Sequence, residues 1–280
     1  MPSAAMLSLI EERLDAIYHA GDVTPIAQPH STGWRTLPFM VNAYVTGSGM
    51  LEIGGRGARL CPSGHALCVP AGVLHRGTLR SPRGISRWSH VSFLILGGID
   101  VFSLLDCPPI FHGKEARRLG EINTELAALA SAATPTLEHL ATKRSLAFAL
   151  LATIARVSTW RAGTDRLVLD SQRLSPVFAA IQKNLNSRIR VENLAEAAFL
   201  SVPRFHVVFR KATGMAPYVF VQSQRLKRAQ ELLLSTDLSI AEIAAQTGQR
   251  DPFFFSRTFK KQCRMSPTEY RKTVTEHRVP

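Results

Sequence analysis

Residues 237–272 read DLSIAEIAAQTGQRDPFFFSRTFKKQCRMSPTEYRK, and their punctuation decides the fold of the C-terminal part of the chain. Ser239 followed three residues later by Glu242 is the pattern of a capping box, in which each side chain satisfies a backbone N–H left free at a helix start. The helix it opens carries Ile240, Ile243 and Ala244 on one side and ends at Thr247-Gly248. Asp251 then offers an N-cap oxygen, and Pro252 takes the first helical position, where a missing N–H costs nothing. Two helices joined by so short a turn form a helix-turn-helix. In the second helix Phe255 and Phe259, four apart, point into a core and leave Phe253, Phe254, Ser256, Arg257, Lys260 and Lys261 outward. Ser266-Pro267-Thr268-Glu269 repeats the start signal, and Tyr270 packs a closing helix.

An upstream copy of the same device is present. Leu194-Ala195-Glu196-Ala197-Ala198, Ser201 as N-cap, Arg204-Phe205, Phe209-Arg210-Lys211 and Gly214-Met215-Ala216-Pro217-Tyr218 parallel the later unit. Between them, residues 217–234 read as one helix, with Leu226, Ala229 and Leu233 at helical spacing and Arg225, Lys227 and Arg228 on the outside. At about 1.5 Å per residue it spans roughly 26 Å. That is near the ~34 Å repeat of DNA, so two recognition helices could enter successive major grooves.

The order I-A-E-I-A, then G, then F-S-R-T-F-K-K, then M-S-P-T-E-Y-R-K resembles the signature of the AraC/XylS family of transcriptional regulators, over residues 175–272. Gln249 stands where that family usually has phenylalanine, and Arg264 where it usually has glycine; both bear on the geometry of the second unit. The resemblance implies a C-terminal all-α DNA-binding domain with two helix-turn-helix units.

Of the formal charge of +13, residues from Asp170 onward contribute +9, with 18 Lys/Arg against 9 Asp/Glu. The excess sits with the motif, as an electrostatic footprint for nucleic acid requires. No stretch is long and apolar enough for a membrane span, and the N-terminal residues are acid-containing and amphipathic, which reads as a soluble cytoplasmic chain with no membrane role. Four cysteines in 280 residues do not make a disulfide framework.

Toward the N-terminus, residues 6–20 read as a short helix with Leu7, Ile10, Leu14 and Ile17 on one face, and a polar, proline-containing passage follows. From Gly33 the texture becomes strand-like: residues 39–45, 50–53, 66–69 and 89–96, separated by glycine and proline. Such spacing suggests a small antiparallel barrel or jelly roll. Residues 47–75 are similar to the cupin-like sensor domain found ahead of AraC-type DNA-binding domains. Residues 116–133 and 137–161 then read as two helices separated by Thr134-Pro135. Helical hairpins at this place commonly serve dimerisation in the family; covering the barrel is the other reading. Residues 163–175 look like a polar linker, with Ser175-Pro176 capping the next helix.

The predicted organisation is α+β: a cupin-like antiparallel β-barrel (1–112), a helical dimerisation segment (113–162), a linker (163–174) and the DNA-binding domain (175–280). Direct base contacts are expected from Pro203, His206 and Val207, flanked by Arg204 and Arg210, and from Phe253, Phe254 and Arg257. Lys211, Lys260 and Lys261 suit phosphate, which positions without specifying sequence. Phe253 or Phe254 could instead tuck under its helix as core. In the barrel, Trp34, Tyr44, His75 and Trp88 are candidates for stacking and hydrogen bonding to a small-molecule effector, or are ordinary core.

No catalytic residue, cofactor or metal site is assigned. Cupin metal centres need converging histidines and a carboxylate, and residues 36–45 contain no histidine. Cys61, His65, Cys68 and His75 have a zinc-like spacing, but strand alternation would send them to different faces. The reading is a sequence-specific regulator whose partners are double-stranded DNA, an effector, a second copy of the chain and, as the resemblance allows, RNA polymerase. The alternatives are a ligand-independent regulator, or a cupin-type or alkyl-acceptor enzyme carrying a DNA-binding domain. The latter would require a reactive cysteine among Cys61, Cys68, Cys107 and Cys263.

Overall fold

A computed structural model describes residues 2–54, 57–130, 136–249, 251–263 and 265–275. Gly55, Arg56, the Thr134-Pro135 break and the Arg264 departure lie outside the described residues. The chain forms two compact units. One comprises Ala16–Phe93 and Leu105–Thr159; the other comprises Met1–Asp15, Leu94–Leu104 and Trp160–Pro280.

The first unit is rich in β structure. Its strands are β1 (Leu14–Ile26), β2 (His30–Ser31), β3 (Met40–Thr46), β4 (Gly49–Ile53), β5 (Ala58–Cys61), β6 (His65–Val69), β7 (His75–Leu79), β8 (Gly84–Ile95), β10 (Leu105–Asp106), β11 (Ile110–Phe111) and β12 (Thr159–Trp160); β9 (Ile99–Asp100) pairs the end of β8 in the other unit. The larger sheet runs β1-β8-β3-β6-β11 and the smaller β2-β7-β4-β5. Both are open paths, so the pairing does not complete a barrel; what stands is a β-rich N-terminal unit and a helical C-terminal domain.

Register assigns the two faces of the larger sheet. Asn42 pairs with Ser89 and Tyr44 with Arg87, and these face α2 (Gly113–Ala130). There Asn42 Nδ2 donates to Asn123 Oδ1 at 2.9 Å, Ser89 Oγ donates to the same oxygen at 2.8 Å, and Asn123 Nδ2 donates to the Arg87 carbonyl at 2.9 Å. Gly120 sits on the Tyr44 ring, where a Cβ would fall 2.7 Å from a ring carbon. The buried stripe Leu119, Ile122 and Leu126 of α2 completes the contact. A second helix, α3 (Leu137–Ala155), packs on α2 through Leu146, Leu150 and Ile154, while Leu137 and Leu140 are 84% and 55% exposed.

Two expectations are corrected here. Residues 14–20 are not helix: the helix α1 is Ala4–Arg13, and β1 begins at Leu14. Leu14 and Ile17 mimic a helical stripe, but pairing with β8 overrides that local pattern, and Pro25 is tolerated because β1 is an edge strand. The supposed linker is also structured. Residues Thr164–Asp170 form α4, and Val168 and Leu174 are fully buried, so the polar texture there concealed two core residues.

In the second unit the helices are α4, α5 (Ser175–Lys183), α6 (Val191–Ala197), α7 (Val202–Thr213), α8 (Pro217–Ser235), α9 (Ile240–Gln246), α10 (Pro252–Cys263) and α11 (Pro267–Thr275). Ser175 is the first residue of α5 and not its cap. Two remote segments join them. Ser3 caps α1 and donates its backbone N–H to Asp165 Oδ1 at 2.8 Å. The Leu104 carbonyl accepts from the Arg161 N–H at 2.9 Å. Gly98 lies flat on Phe178, where a Cβ would be 2.6 Å from the ring. Asp100 accepts from the Phe102 N–H at 2.9 Å, and burial raises its carboxyl above the ordinary range.

Candidate nucleic-acid interface

Each helix-turn-helix is built as its local chemistry dictates. Ser239 and Glu242 form a complete capping box, with the Ser239 N–H donating to Glu242 Oε2 at 2.7 Å and the Glu242 N–H to Ser239 Oγ at 3.2 Å. Ser266 and Glu269 do the same at 2.6 and 3.2 Å. Hydrogen bonds from Ser239 hold the Glu242 carboxyl below its ordinary range, and those from Ser266 hold Glu269 likewise. A depressed folded value means that both caps are fully intact above the ordinary carboxylate range and are lost as pH falls below it, through the depressed values. Asp251 Oδ1 accepts the Phe253 N–H at 2.8 Å and opens α10. Ser201 occupies the N-cap of α7 without a side-chain capping bond.

The two recognition helices bury equivalent residues: Phe205, Phe209 and Ala212 in α7, and Phe255, Phe259 and Cys263 in α10. That leaves Pro203, Arg204, His206, Val207, Arg210 and Lys211 exposed on α7, and Phe253, Phe254, Arg257, Lys260 and Lys261 exposed on α10. Phe253 is 81% and Phe254 54% exposed, so neither is tucked under its helix. The connection 247–251 is one residue longer than 198–201. Both turns pass through the left-handed region, at Gly248 with φ 73° and at Phe199 with φ 54°. Phe199 is a bulky side chain in a conformation that favours glycine, and it is 95% exposed.

Sequence reasoning missed how the two readers are held. Arg225 does not lie free on the outside of α8. Its Nε donates to the Leu185 carbonyl at 3.0 Å and its Nη2 to the Ser187 carbonyl at 2.5 Å, bracketing the chain after α5. Gly248 packs into the same junction, where a Cβ would stand 2.6 Å from the Leu185 oxygen and 2.8 Å from Arg225 Nη2. Nothing in the local pattern separates Arg225 from its exposed neighbour Arg228, so spacing alone gave no signal. Nearby, the buried Gln249 Oε1 has no hydrogen-bond partner, a cost that an apolar side chain at this position would not carry.

The four effector candidates divide by face. Tyr44 faces α2, with the Arg87 guanidinium 5.7 Å from its ring centroid. Trp34 carries the Arg76 guanidinium at 5.1 Å, on the face where Arg76 pairs with Glu52 at 2.9 and 2.8 Å. Trp88, opposite Ala43, and His75, opposite Ile53, alternate to the other faces of their sheets. Trp88 lies 4.7 Å from His90, and its indole N–H donates to Thr24 Oγ1 at 3.0 Å. His75 is 3% exposed; its Nδ1 is 2.9 Å from the Val73 carbonyl and its buried Nε2 has no partner. Burial, with the Arg35 charge, lowers its pKa to about 4 against the Val73 hydrogen bond, so the ring is neutral at pH 7. A carbonyl can only accept, so the proton is on Nδ1 and Nε2 presents a lone pair. Among the described residues no group of three or more His, Cys, Asp or Glu is placed to hold a metal, and no helix is long and apolar enough to cross a membrane.

Residues 194–273 match a family model described as a helix-turn-helix domain. The Msm operon regulatory protein of Streptococcus mutans is 35% identical over 101 residues, covering 36% of this chain and 36% of that protein. The HTH-type transcriptional activator RhaR of Yersinia pseudotuberculosis is 29% identical over 122 residues, covering 44% of this chain and 42% of that protein. The matches therefore span less than half the length of these relatives. The crystal structure of ToxT from Vibrio cholerae aligns with 94% of this chain and 99% of its own at a TM-score of 0.58 and 11% identity, a likeness of fold alone.

Replacing Arg225 with alanine removes two hydrogen bonds and leaves the Leu185 and Ser187 carbonyls without that donor, at a cost of about 1–3 kcal/mol. Arg228→Ala removes only an exposed pair with Glu231 and should cost about 0–1 kcal/mol. Urea titrations of the two variants that gave equal losses would remove the bracket from the account.

Proposed function

The chain carries a double helix-turn-helix domain of the AraC/XylS type, and on that premise we propose that it is a sequence-specific transcriptional regulator controlled by a small-molecule effector in its β-rich unit. The observation that carries the DNA reading is the one-sided exposure of α7 and α10, whose outward positions hold cations and bare apolar side chains. Arg204, Arg210 and Arg257 can bond guanine O6 and N7; Val207, Phe253 and Phe254 can meet thymine methyl groups; His206 can donate to a purine. Lys211, Lys260 and Lys261 bind phosphate. No catalytic role is proposed for any residue.

For the effector, His75 and Trp88 are favoured over Trp34 and Tyr44, because they alternate to the faces away from the Arg76–Glu52 pair and from α2. A cupin-like arrangement of the two sheets would place the ligand between them. The lone pair on His75 Nε2 calls for a ligand with a hydroxyl or N–H group, and Trp88 for an aromatic or sugar-ring face. The outward Leu137 and Leu140 of α3 support a homodimer through that helix. RNA polymerase as a partner and a cytoplasmic location follow from a regulator's role.

Selection of genomic fragments by the purified protein should enrich sites with two contact blocks one helical turn apart. On such a site Arg257→Ala should lose about 1–3 kcal/mol and relax preference at one base position. Lys261→Ala should weaken all sequences evenly and reduce the salt slope by about one. Loss of base preference on changing Lys261, with none on changing Arg257, would reverse these roles.

In thermal-shift screening of a metabolite library, a ligand present at about 100 times its dissociation constant stabilises by about 2.7 kcal/mol. His75→Leu should abolish that shift, and a variant that keeps it places the ligand elsewhere. Sedimentation velocity of Leu137→Asp with Leu140→Asp should show monomers where the parent chain forms dimers; an unchanged dimer assigns association to another face.

A further inference from the structure

Two thiols in the β-rich unit are used by nothing described above. Cys68, 1% exposed, lies on β6 opposite Asn42, and its backbone N–H donates to the Pro109 carbonyl at 3.0 Å. The pairing continues as Leu67 with Ile110 and Ala66 with Phe111. Cys107 stands two residues before Pro109, at the edge of this ladder. Its thiol donates to the Pro108 carbonyl oxygen at 3.4 Å and lies within hydrogen-bonding reach of the Cys68 and Ser158 side chains. The bond to Cys68 and then that to Ser158 hold the Cys107 thiol below its ordinary range, against partial burial.

The remaining cysteines lack these features. Burial pushes the Cys61 thiol up to about 11. Cys263 is fully buried in α10, where Gln230 Nε2 donates to its sulfur at 3.3 Å. Thiol chemistry runs through the thiolate and requires access. Cys107 is half-buried, whereas Cys68 is buried.

We propose that Cys107 and Cys68 form an oxidant-sensitive dithiol, which a hydroperoxide converts into an intramolecular disulfide. The Cys107 thiolate attacks the terminal peroxide oxygen; the O–O bond breaks, the leaving alkoxide takes up the thiol's proton, and Cys107 becomes a sulfenic acid. The Cys68 sulfur then attacks the Cys107 sulfur; the S–O bond breaks and hydroxide leaves as water with the Cys68 proton. In sum, two thiols and one hydroperoxide give one disulfide, one alcohol and one water, and a small reducing thiol reverses the product by exchange. The bridge ties residues 107–109, just ahead of β11 and α2, covalently to β6. The accessible Cys107 is the attacking residue and the buried Cys68 the resolving one.

The test is graded hydrogen peroxide on the full chain, quenched with N-ethylmaleimide and read by intact mass and peptide mapping. The expected product has lost two hydrogen atoms, yields a linked pair of peptides containing Cys68 and Cys107, and reverts with dithiothreitol. In Cys68→Ser, Cys107 should halt as a sulfenic acid that dimedone captures; Cys107→Ser should remain reduced; Cys61→Ser should oxidise as the parent does. Maleimide labelling of Cys107 that is unchanged by peroxide overturns the proposal, as does a bridge to Cys61 or between two chains. The map of the parent chain decides the matter even if a variant fails to fold.

Discussion

The second reader has a turn with no space for a side chain. At Gly248 the backbone is left-handed and pressed against the chain that follows α5 and against the guanidinium of Arg225. Only glycine meets both demands at once, since a Cβ would be strained by φ and blocked by a backbone oxygen. Arg225 comes from the middle of α8, so the connecting helix is not merely a spacer between two motifs. It grips the first motif while the second rests on it. A duplex offers its major grooves at a fixed period, and readers that are already fixed relative to each other lose little freedom on binding.

The β-rich unit solves a different problem, which is how to seat a helix in one register on one face of a sheet. Apolar packing from Leu119, Ile122 and Leu126 supplies attraction without direction. The Asn42–Ser89–Asn123 cluster supplies direction, because the hydrogen bonds among these buried side chains resist slippage between helix and strand, even though Asn42 Oδ1 itself has no partner. Gly120 lets the helix come down onto Tyr44. Apart from Asn42 Oδ1, the polar groups of this cluster are committed to one another and to the Arg87 carbonyl.

Elements with chemical punctuation were legible in the sequence: the capping boxes at Ser239 and Ser266, proline at the start of α10, and phenylalanines four apart in each recognition helix. These signals are local, and they do not depend on the rest of the chain. The outward residues of α7 and α10 followed from period alone. Elements made by distant partners were not legible. β1 looked helical because Leu14 and Ile17 happen to fit that period, and only β8 makes it a strand. Residues 163–174 looked like linker because the two buried side chains, Val168 and Leu174, are too few to set a stripe. Which of Trp34, Tyr44, His75 and Trp88 share a face was not legible either, because composition does not reveal which way a side chain is turned. The Arg225 bracket was invisible for the same reason: its partners are backbone carbonyls, which every residue has.

The unit that holds the readers is not one continuous stretch of chain. It includes α1 and Leu94–Leu104, and the flat side of Gly98 rests on Phe178 of the first reading subdomain. A fragment beginning at Ser175 would keep every residue proposed to touch DNA, yet it would expose the Phe178 ring that Gly98 covers and lose α4 with its buried Val168. In genetic terms, the reader of this chain is poorly suited to being transplanted whole onto another sensor. Recombination at the apparent domain border would separate it from pieces of itself, α1 and Leu94–Leu104, that are encoded upstream of that border.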